Sequence, residues 1–366
     1  MSSSSFIDSL QSGDKHRVLQ VRLFLDSLAN KYFRMKNNDR NQSAVSVSVV
    51  MPVYNSEKYL ERVLKSVISQ EFEDWELIVI DDGSTDKSGI IIDDYAAKDR
   101  RIKAYHRKNG GVAEARQFGI DCAEGGYIIH LDSDDWVEPD YLSSLYQYAI
   151  AHDADMVWCD LFAHGKGSGK YSLEESPDKM IRALLMHQQW GTLFNRMFRA
   201  EICKSPMVRM PKGRITWAED TAYCISALLQ CKKIKYLPRP LYHYNTDNEN
   251  SLLHLASRHS NPDAACWVAN HISQSIEMAG RTNDFIYEIR FFQIGVVKDY
   301  LDDIQERDLK KFAYTFPDAM RHLRDYKNLS SRYHVCYWLI IHQMALFVPF
   351  VWKICILFRK IGLLKN

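Results

Sequence analysis

The sequence predicts an α/β protein built on an open, mostly parallel sheet with helices on both faces, and three observations carry that prediction. Continuous apolar runs such as residues 75–80 suit strands buried on both faces, the environment of a parallel sheet. Stretches with helical spacing alternate with these runs, so successive strands are joined by right-handed crossovers. Three of the runs also end in polar clusters: Pro52-Val53-Tyr54-Asn55, Asp81-Asp82-Gly83-Ser84 and Asp132-Ser133-Asp134-Asp135. The pattern is Rossmann-like, and open α/β sheets bind ligands outside the carboxyl ends of their strands.

The elements follow in order. Residues 6–38 place Val18, Val21, Leu23, Leu25 and Leu28 at helical spacing, and a polar linker, 36–43, comes next. The first strand, 45–50, is expected to halt at Pro52, which cannot donate to a ladder. Ser56 is the expected cap of a helix whose Tyr59, Leu60, Val63, Leu64, Val67 and Ile68 share one face. Beyond the strand at 75–80 come a helix (86–97), a short strand (102–105), a helix (112–123), a strand (127–131), a helix (139–151) and a strand (155–159). After Phe162 the pattern loosens. Residues 165–170, rich in Gly and Lys, read as a surface turn, because they lack the spacing and the Ser/Thr of a P-loop. From about residue 262 the chain reads as helices. The expected division is an N-terminal helical extension and linker (1–43), an α/β domain (44–255) and a helical C-terminal region (256–366).

Composition narrows the function. At 366 residues the chain is long enough to bury a substantial core. With 47 Lys+Arg against 46 Asp+Glu there is no global basic field to attract nucleic acid. The eight cysteines are scattered without zinc spacing, which points to buried thiols in a reducing cytoplasm. Met1 to Asp14 holds no long apolar run, which argues against a secretory signal. The segment 333–366 is different. It is rich in Val, Ile, Leu and Phe, contains Trp338 and Trp352, and is bracketed by Arg359, Lys360 and Lys365. That composition favours an interfacial helix on an anionic leaflet over a core helix, and Pro349 disfavours a full span.

The chemistry gathers at the strand ends. Three carboxylates within four residues at 132–135 concentrate negative charge that water or a cation must screen. Hard divalent cations, Mg²⁺ or Mn²⁺, bridge a few carboxylates to substrate phosphates. Asp82 can accept from a ring N–H, Tyr54 offers a flat face for a base, and Gly83 permits backbone geometry that other residues resist.

Together these strand ends resemble glycosyltransferase family 2, the inverting nucleotide-sugar transferases of GT-A fold, over about residues 45–250. The Pro-x-Tyr-Asn turn is Pro52 to Asn55, and the Asp-Asp-Gly-Ser segment that holds uracil in the family is Asp81 to Ser84. Asn109-Gly110-Gly111 with Ala115-Arg116 matches the next family element, which sets Arg116 near the nucleotide; Gln117 departs from the family's usual Asn. The resemblance gives Asp134 the direct metal contact, puts Asp132 and Ser133 beside the nucleotide, and makes Asp135 an orienter of donor-sugar hydroxyls. It makes Asp220, in Trp217-Ala218-Glu219-Asp220, the general base that deprotonates the acceptor hydroxyl, with Glu219 beside it. Structurally, the same pair also suits a helix N-terminus. Trp190 and Asn195 fall in the segment resembling the family's acceptor-binding region, and Trp217 joins them as a sugar contact. His243 lies in a segment resembling a loop that closes over the diphosphate, where it would meet phosphate or metal.

The resemblance implies inverting transfer from a UDP-sugar, with Mn²⁺ or Mg²⁺, to a hydroxyl of a glycan or lipid-linked acceptor. It implies assembly of capsule, exopolysaccharide or O-antigen; the composition of segment 333–366 adds a peripheral contact with the inner face of the cytoplasmic membrane, and a homo-oligomer is allowed. Two rivals are a polyprenyl-phosphate sugar transferase, which would not need Asp220, and a non-catalytic nucleotide- or carbohydrate-binding scaffold, which would lack the acidic ligands.

Overall fold

A computed structural model describes residues 45–163, 167–169, 175–212, 218–248, 262–301 and 315–326. The expected N-terminal helix and linker, Trp217, the loop from residue 249 and the tail at 333–366 lie outside these residues. The described residues fall into two compact units that interleave along the chain.

The first unit comprises the described residues up to Pro177 together with Thr192–Val208 and Cys231–Asp247. Its elements are β1 (Val45–Val53), α1 (Glu57–Ile68), β2 (Trp75–Asp81), α2 (Ser88–Ala96), β3 (Ile102–His106), α3 (Val112–Cys122), β4 (Gly125–His130), β5 (Trp136–Val137), α4 (Tyr141–His152), β6 (Met156–Ala163), and β7 (Gly167–Gly169). It also holds β8 (Arg196–Arg199), α6 (Ala200–Cys203) and β9 (Ile234–Tyr244), while α5 (Pro177–Leu185) and α7 (Glu219–Leu228), which intervene in sequence, belong almost wholly to the second unit. The nine strands form one sheet in the order β3-β2-β1-β4-β8-β6-β9-β5, with β7 paired to β6. Strands β1 to β4 are mutually parallel, whereas β8 runs antiparallel to both β4 and β6.

Side-chain alternation sorts the core by face. The odd positions Val47, Val49, Met51, Leu77, Val79, Tyr127 and Ile129 pack with Leu60, Val63 and Leu64 of α1 and Tyr141, Leu142 and Leu145 of α4. The even positions face α3, whose Gly119 lies so close that a Cβ there would sit 2.5 Å from Val50. Both faces are therefore covered, as the apolar runs require.

Several expectations are corrected. β1 does not halt at Pro52; it runs to Val53, with Pro52 opposite Ile80. Leu131 N–H donates to Val50 O at 3.0 Å, so even positions of β1 direct their backbone groups toward β4. The pairing of β1 with β4 ends at Val50, and the donor Pro52 lacks would face that unpaired side. Gly167–Gly169 is a strand rather than a turn. Ser56 precedes α1 but makes no side-chain cap; its hydroxyl is used elsewhere. β8 and β9 have no clear signature in the sequence, because β8 is four residues long and β9 carries Pro238 and Pro240 at a register shift against β6.

The second unit comprises Asp178–Gly191, Arg209–Gln230 and the described residues from Asn248 onward. It is helical: most of α5, α7, α8 (Pro262–Met278), α9 (Thr282–Leu301) and α10 (Pro317–Arg321). Arg182 of α5 pairs with Glu288 of α9, Arg281 reaches Asp178 at 2.8 Å, and Ser226 of α7 donates to Ser275 of α8 at 3.1 Å. Among the described cysteines, Cys159, Cys203, Cys224, Cys231 and Cys266 are buried and Cys122 is half-buried, with no disulfide among them. No described helix is long and apolar enough to cross a membrane.

Candidate active site

Parallel register brings the three polar strand ends side by side. Val53 of β1 lies opposite Asp81 of β2, and Val50 opposite His130 of β4, so the turns that follow emerge on one edge. They are then tied together. Asn55, in left-handed backbone at φ 49°, donates its N–H to Ser84 Oγ at 3.0 Å and accepts from Thr85 N–H at 2.8 Å. Ser56 Oγ bonds Ser133 Oγ at 2.7 Å, joining the first turn to the acidic one. Tyr54 projects from this edge with 53% of its surface exposed, the flat face a base would need.

Asp82 is buried and serves the neighbouring loop. Its carboxylate accepts from the N–H groups of Gly110 at 3.0 Å and Gly111 at 2.7 Å, with Arg107 Nε 3.4 Å away. Gly83 has φ +78°, and a Cβ on it would meet Asn109 N at 2.9 Å, so glycine is what lets these two loops touch. Asp81 accepts from Ser84 N–H at 2.9 Å and pairs with His106 at 2.9 Å. Burial alone would raise Asp81, but the bonds from Ser84 and His106 outweigh it and hold the carboxyl below its ordinary range. The hydrogen bonds to Asp81 and then Asp93 raise His106 in turn.

The acidic turn sorts its three carboxylates into three environments. Asp132 receives Arg116 Nη2 at 2.7 Å, and Arg116 is itself a buried residue of α3. Asp134 is half-buried on the turn. Asp135 is wholly buried: Tyr242 Oη donates to it at 2.5 Å and Asn245 N–H at 2.7 Å. Burial, then the charges of Asp134 and Asp132, push Asp135 well above the ordinary carboxylate range. Burial, then Asp135 beside it, raises Tyr242 as well. Tyr242 Oη also accepts from Asp132 N–H at 3.3 Å, so one phenol spans both ends of the turn.

Asp135 was expected among sugar hydroxyls; full burial makes it a brace of the turn instead. Asn195 was expected at the acceptor, yet it is 0% exposed, donating to Cys159 O at 2.7 Å and accepting from Thr192 at 2.8 Å. His243 was expected at metal or phosphate. Its Nε2 bonds Glu138 at 2.5 Å and its ring is stacked between Trp136 and Phe162, so it is built into the scaffold. Pro52 is buried in β1. In the second unit, Glu219 and Asp220 form the first turn of α7, and Trp190 is 62% exposed. Gly191 abuts that helix turn, since a Cβ there would lie 2.4 Å from Thr221 Cα. Tyr242 and Asn245 fall in the segment expected to close over the diphosphate, and here they are the partners of Asp135. Arg62, which donates to Asp134 O at 2.7 Å, is a site-edge residue that no sequence signal flagged.

Among the described residues no group of three or more His, Cys, Asp or Glu side chains forms a ready-made metal cage. Asp134, half-buried on the turn two residues from Asp132, is a hard oxygen donor of the type that holds Mg²⁺ or Mn²⁺ together with substrate phosphates.

Residues 48–215 match the family described as Glycosyl transferase family 2. The uncharacterized glycosyltransferase EpsJ of Bacillus subtilis is 31% identical over 217 residues, covering 56% of this chain and 62% of EpsJ. The poly(ribitol-phosphate) beta-N-acetylglucosaminyltransferase TarS of Staphylococcus aureus is 27% identical, over 59% of this chain and 38% of TarS. The chain thus spans less than two thirds of the length of these relatives. The crystal structure of S. aureus TarS 1–349 in complex with UDP-GlcNAc superposes with a TM-score of 0.64 at 19% identity, covering 88% of this chain and 93% of that one. Residues 48–215 of this chain therefore belong to glycosyltransferase family 2, on the GT-A fold.

Proposed function

We propose that the chain is an inverting glycosyltransferase that moves a sugar from a UDP-sugar to a hydroxyl of a glycan or lipid-linked acceptor in surface-polysaccharide assembly. The observation that carries this reading is the fusion of three parallel strand ends into one edge bearing Tyr54, Asp82, Arg116, Asp132 and Asp134. The relatives support it: TarS by its name transfers N-acetylglucosamine to poly(ribitol-phosphate), and it has been solved with UDP-GlcNAc.

The nucleotide would lie along the carboxyl edge, with the base on Tyr54 and the loop braced by Asp82. Asp134 would hold Mn²⁺ or Mg²⁺ together with the donor diphosphate, and the cation would supply charge stabilisation for the departing nucleotide. Arg116 keeps Asp132 from adding a second uncompensated charge to the turn. Asp220 would take the proton from the acceptor hydroxyl; the freed oxygen forms a bond to the anomeric carbon as the bond to the diphosphate breaks, and UDP leaves with the electron pair. One displacement inverts the centre and needs no enzyme nucleophile.

Calorimetry of UDP with and without Mn²⁺ tests this reading. Wild type is expected to bind UDP more tightly with Mn²⁺, and Asp134→Ala to lose that gain; no UDP binding in either condition would remove the proposal. Asp220→Asn is expected to keep UDP affinity and lose about a hundredfold or more in transfer rate, and a near-normal rate would favour the polyprenyl-phosphate alternative. Peripheral membrane attachment through 333–366 is part of the same proposal. Vesicles with anionic lipid should sediment the full chain and not one truncated at residue 332, and equal sedimentation would refute it.

A further inference from the structure

Arg62 stands 72 residues from Asp134 in sequence, yet its Nη2 donates to the Asp134 carbonyl at 2.7 Å. Its guanidinium also lies 3.8 Å from the centroid of Trp136 and 5.9 Å from that of Tyr59. Trp136 stacks on His243 with centroids 4.8 Å apart and planes 8° apart, and His243 stacks on Phe162 at 4.6 Å and 17°. These contacts follow from strand pairing, since Trp136 and Phe162 both lie opposite His243. Glu138 then fixes His243 through Nε2 at 2.5 Å. Four side chains from α1, β5, β9 and β6 thus form a single column that ends on the peptide of Asp134.

The same helix grips the turn a second time. Ser56, which immediately precedes α1, bonds Ser133, one residue before Asp134. The turn carries Asp132, Asp134 and Asp135 within four residues, and carboxylates so close in sequence favour no single arrangement unless something holds the backbone. A guanidinium bonded to the carbonyl and stacked on an indole restrains the peptide at its centre.

We propose that Arg62 is a positioning residue: through the column it fixes the Asp134 peptide and so aims the Asp134 carboxylate at the cation and diphosphate of the donor. This rests on the functional reading above. Arg62 touches neither substrate nor cation in this assignment, so its signature is a change confined to metal-assisted binding. Lysine preserves a donor and a cation over the indole, whereas methionine keeps only the stem.

The test is UDP calorimetry with and without Mn²⁺ on wild type, Arg62→Met and Arg62→Lys, with amide hydrogen exchange over residues 131–137 in the absence of ligand. Arg62→Met should weaken Mn²⁺-dependent UDP binding about tenfold, leave metal-free UDP affinity within about twofold, and speed exchange in the turn. Arg62→Lys should recover most of the loss. Arg62→Met binding UDP with Mn²⁺ as wild type does would overturn the inference, and so would an equal loss with and without metal, which would mark a direct nucleotide contact. Wild type lacking any Mn²⁺-dependent UDP binding would remove the functional reading, and this inference with it; a normal wild type with an indifferent Arg62→Met removes the inference alone.

Discussion

The two ends of the sheet in the first unit each bury a carboxylate, and they treat it in opposite ways. At the amino end Glu76 is 2% exposed and receives Ser48 Oγ and Glu124 N–H at 2.6 Å each, with Lys103 Nζ at 2.7 Å. At the carboxyl end Asp135 is equally buried, but its partners are a phenol and an amide, and its neighbours are two more aspartates. Burial pushes Glu76 up, but the bonds from Lys103, Ser48 and Glu124 outweigh it and bring the group below its ordinary 4.5. Burial also pushes Asp135 up, and there the neighbouring charges add to it. One end answers its buried carboxylate with a lysine and two further donors. The other gives Asp135 only neutral donors and sets it beside two more carboxylates, so the same burial ends in opposite shifts.

Three variants sharpen or break that comparison. The largest effect belongs to Asp134→Ala, where Mn²⁺-dependent UDP affinity should fall about a hundredfold while unfolding free energy holds or rises by about 0.5 kcal/mol, because a like charge beside Asp135 is removed. Destabilisation by that variant, read by urea titration, would mean that this edge is also balanced internally.

Glu76→Gln should reverse the pattern, costing about 2–3 kcal/mol at pH 7 with UDP affinity unchanged. Glu76 is held below 4.5, so its contribution is present above that pH and lost as pH falls through the folded value. Stability of the variant should therefore decline less steeply than wild type below about pH 4.5. Parallel acid limbs for the two proteins would end the assignment. The smallest effect is expected for Asp135→Asn, within about 1 kcal/mol, since the amide can face Tyr242 with Nδ2 and Asn245 N–H with Oδ1. Asp135 is raised above 3.8, so the folded state favours its protonated form and loses relative stability as pH rises through the folded value. The amide variant should lack that loss, and a steeper decline than wild type as pH rises above 3.8 would contradict the account.

Legibility in the sequence followed the range of the interaction. The parallel half, β1 to β4, was readable because each strand is an apolar run and each turn a compact polar word of neighbouring residues. β8 and β9 were not, because a four-residue strand and a strand with two prolines acquire their ladders from distant partners, β4 and β6 for the one and β6 and β5 for the other. Pro52 misled for a similar reason. The rule against proline concerns a donor that a neighbour needs, and which side of β1 lacks a neighbour is a property of the sheet.

The site divides along the same line. That Asp82, Asp132 and Asp134 emerge together followed from parallel topology alone, because strand ends in such a sheet share an edge. Which carboxylate is half-buried on the turn, which is paired and which is wholly buried did not. Arg116 reaches Asp132 from α3, Tyr242 reaches Asp135 from 107 residues away, and Arg62 holds Asp134 from α1. By itself the sequence determined the α/β class, the polar edge and the family, since these reside in periodicity and in short contiguous motifs. The tertiary structure alone decided that Asp135 braces, that His243 and Asn195 belong to the scaffold, and that Arg62 anchors the acidic turn. Burial and pairing are set by distant segments, and local sequence carries no record of them.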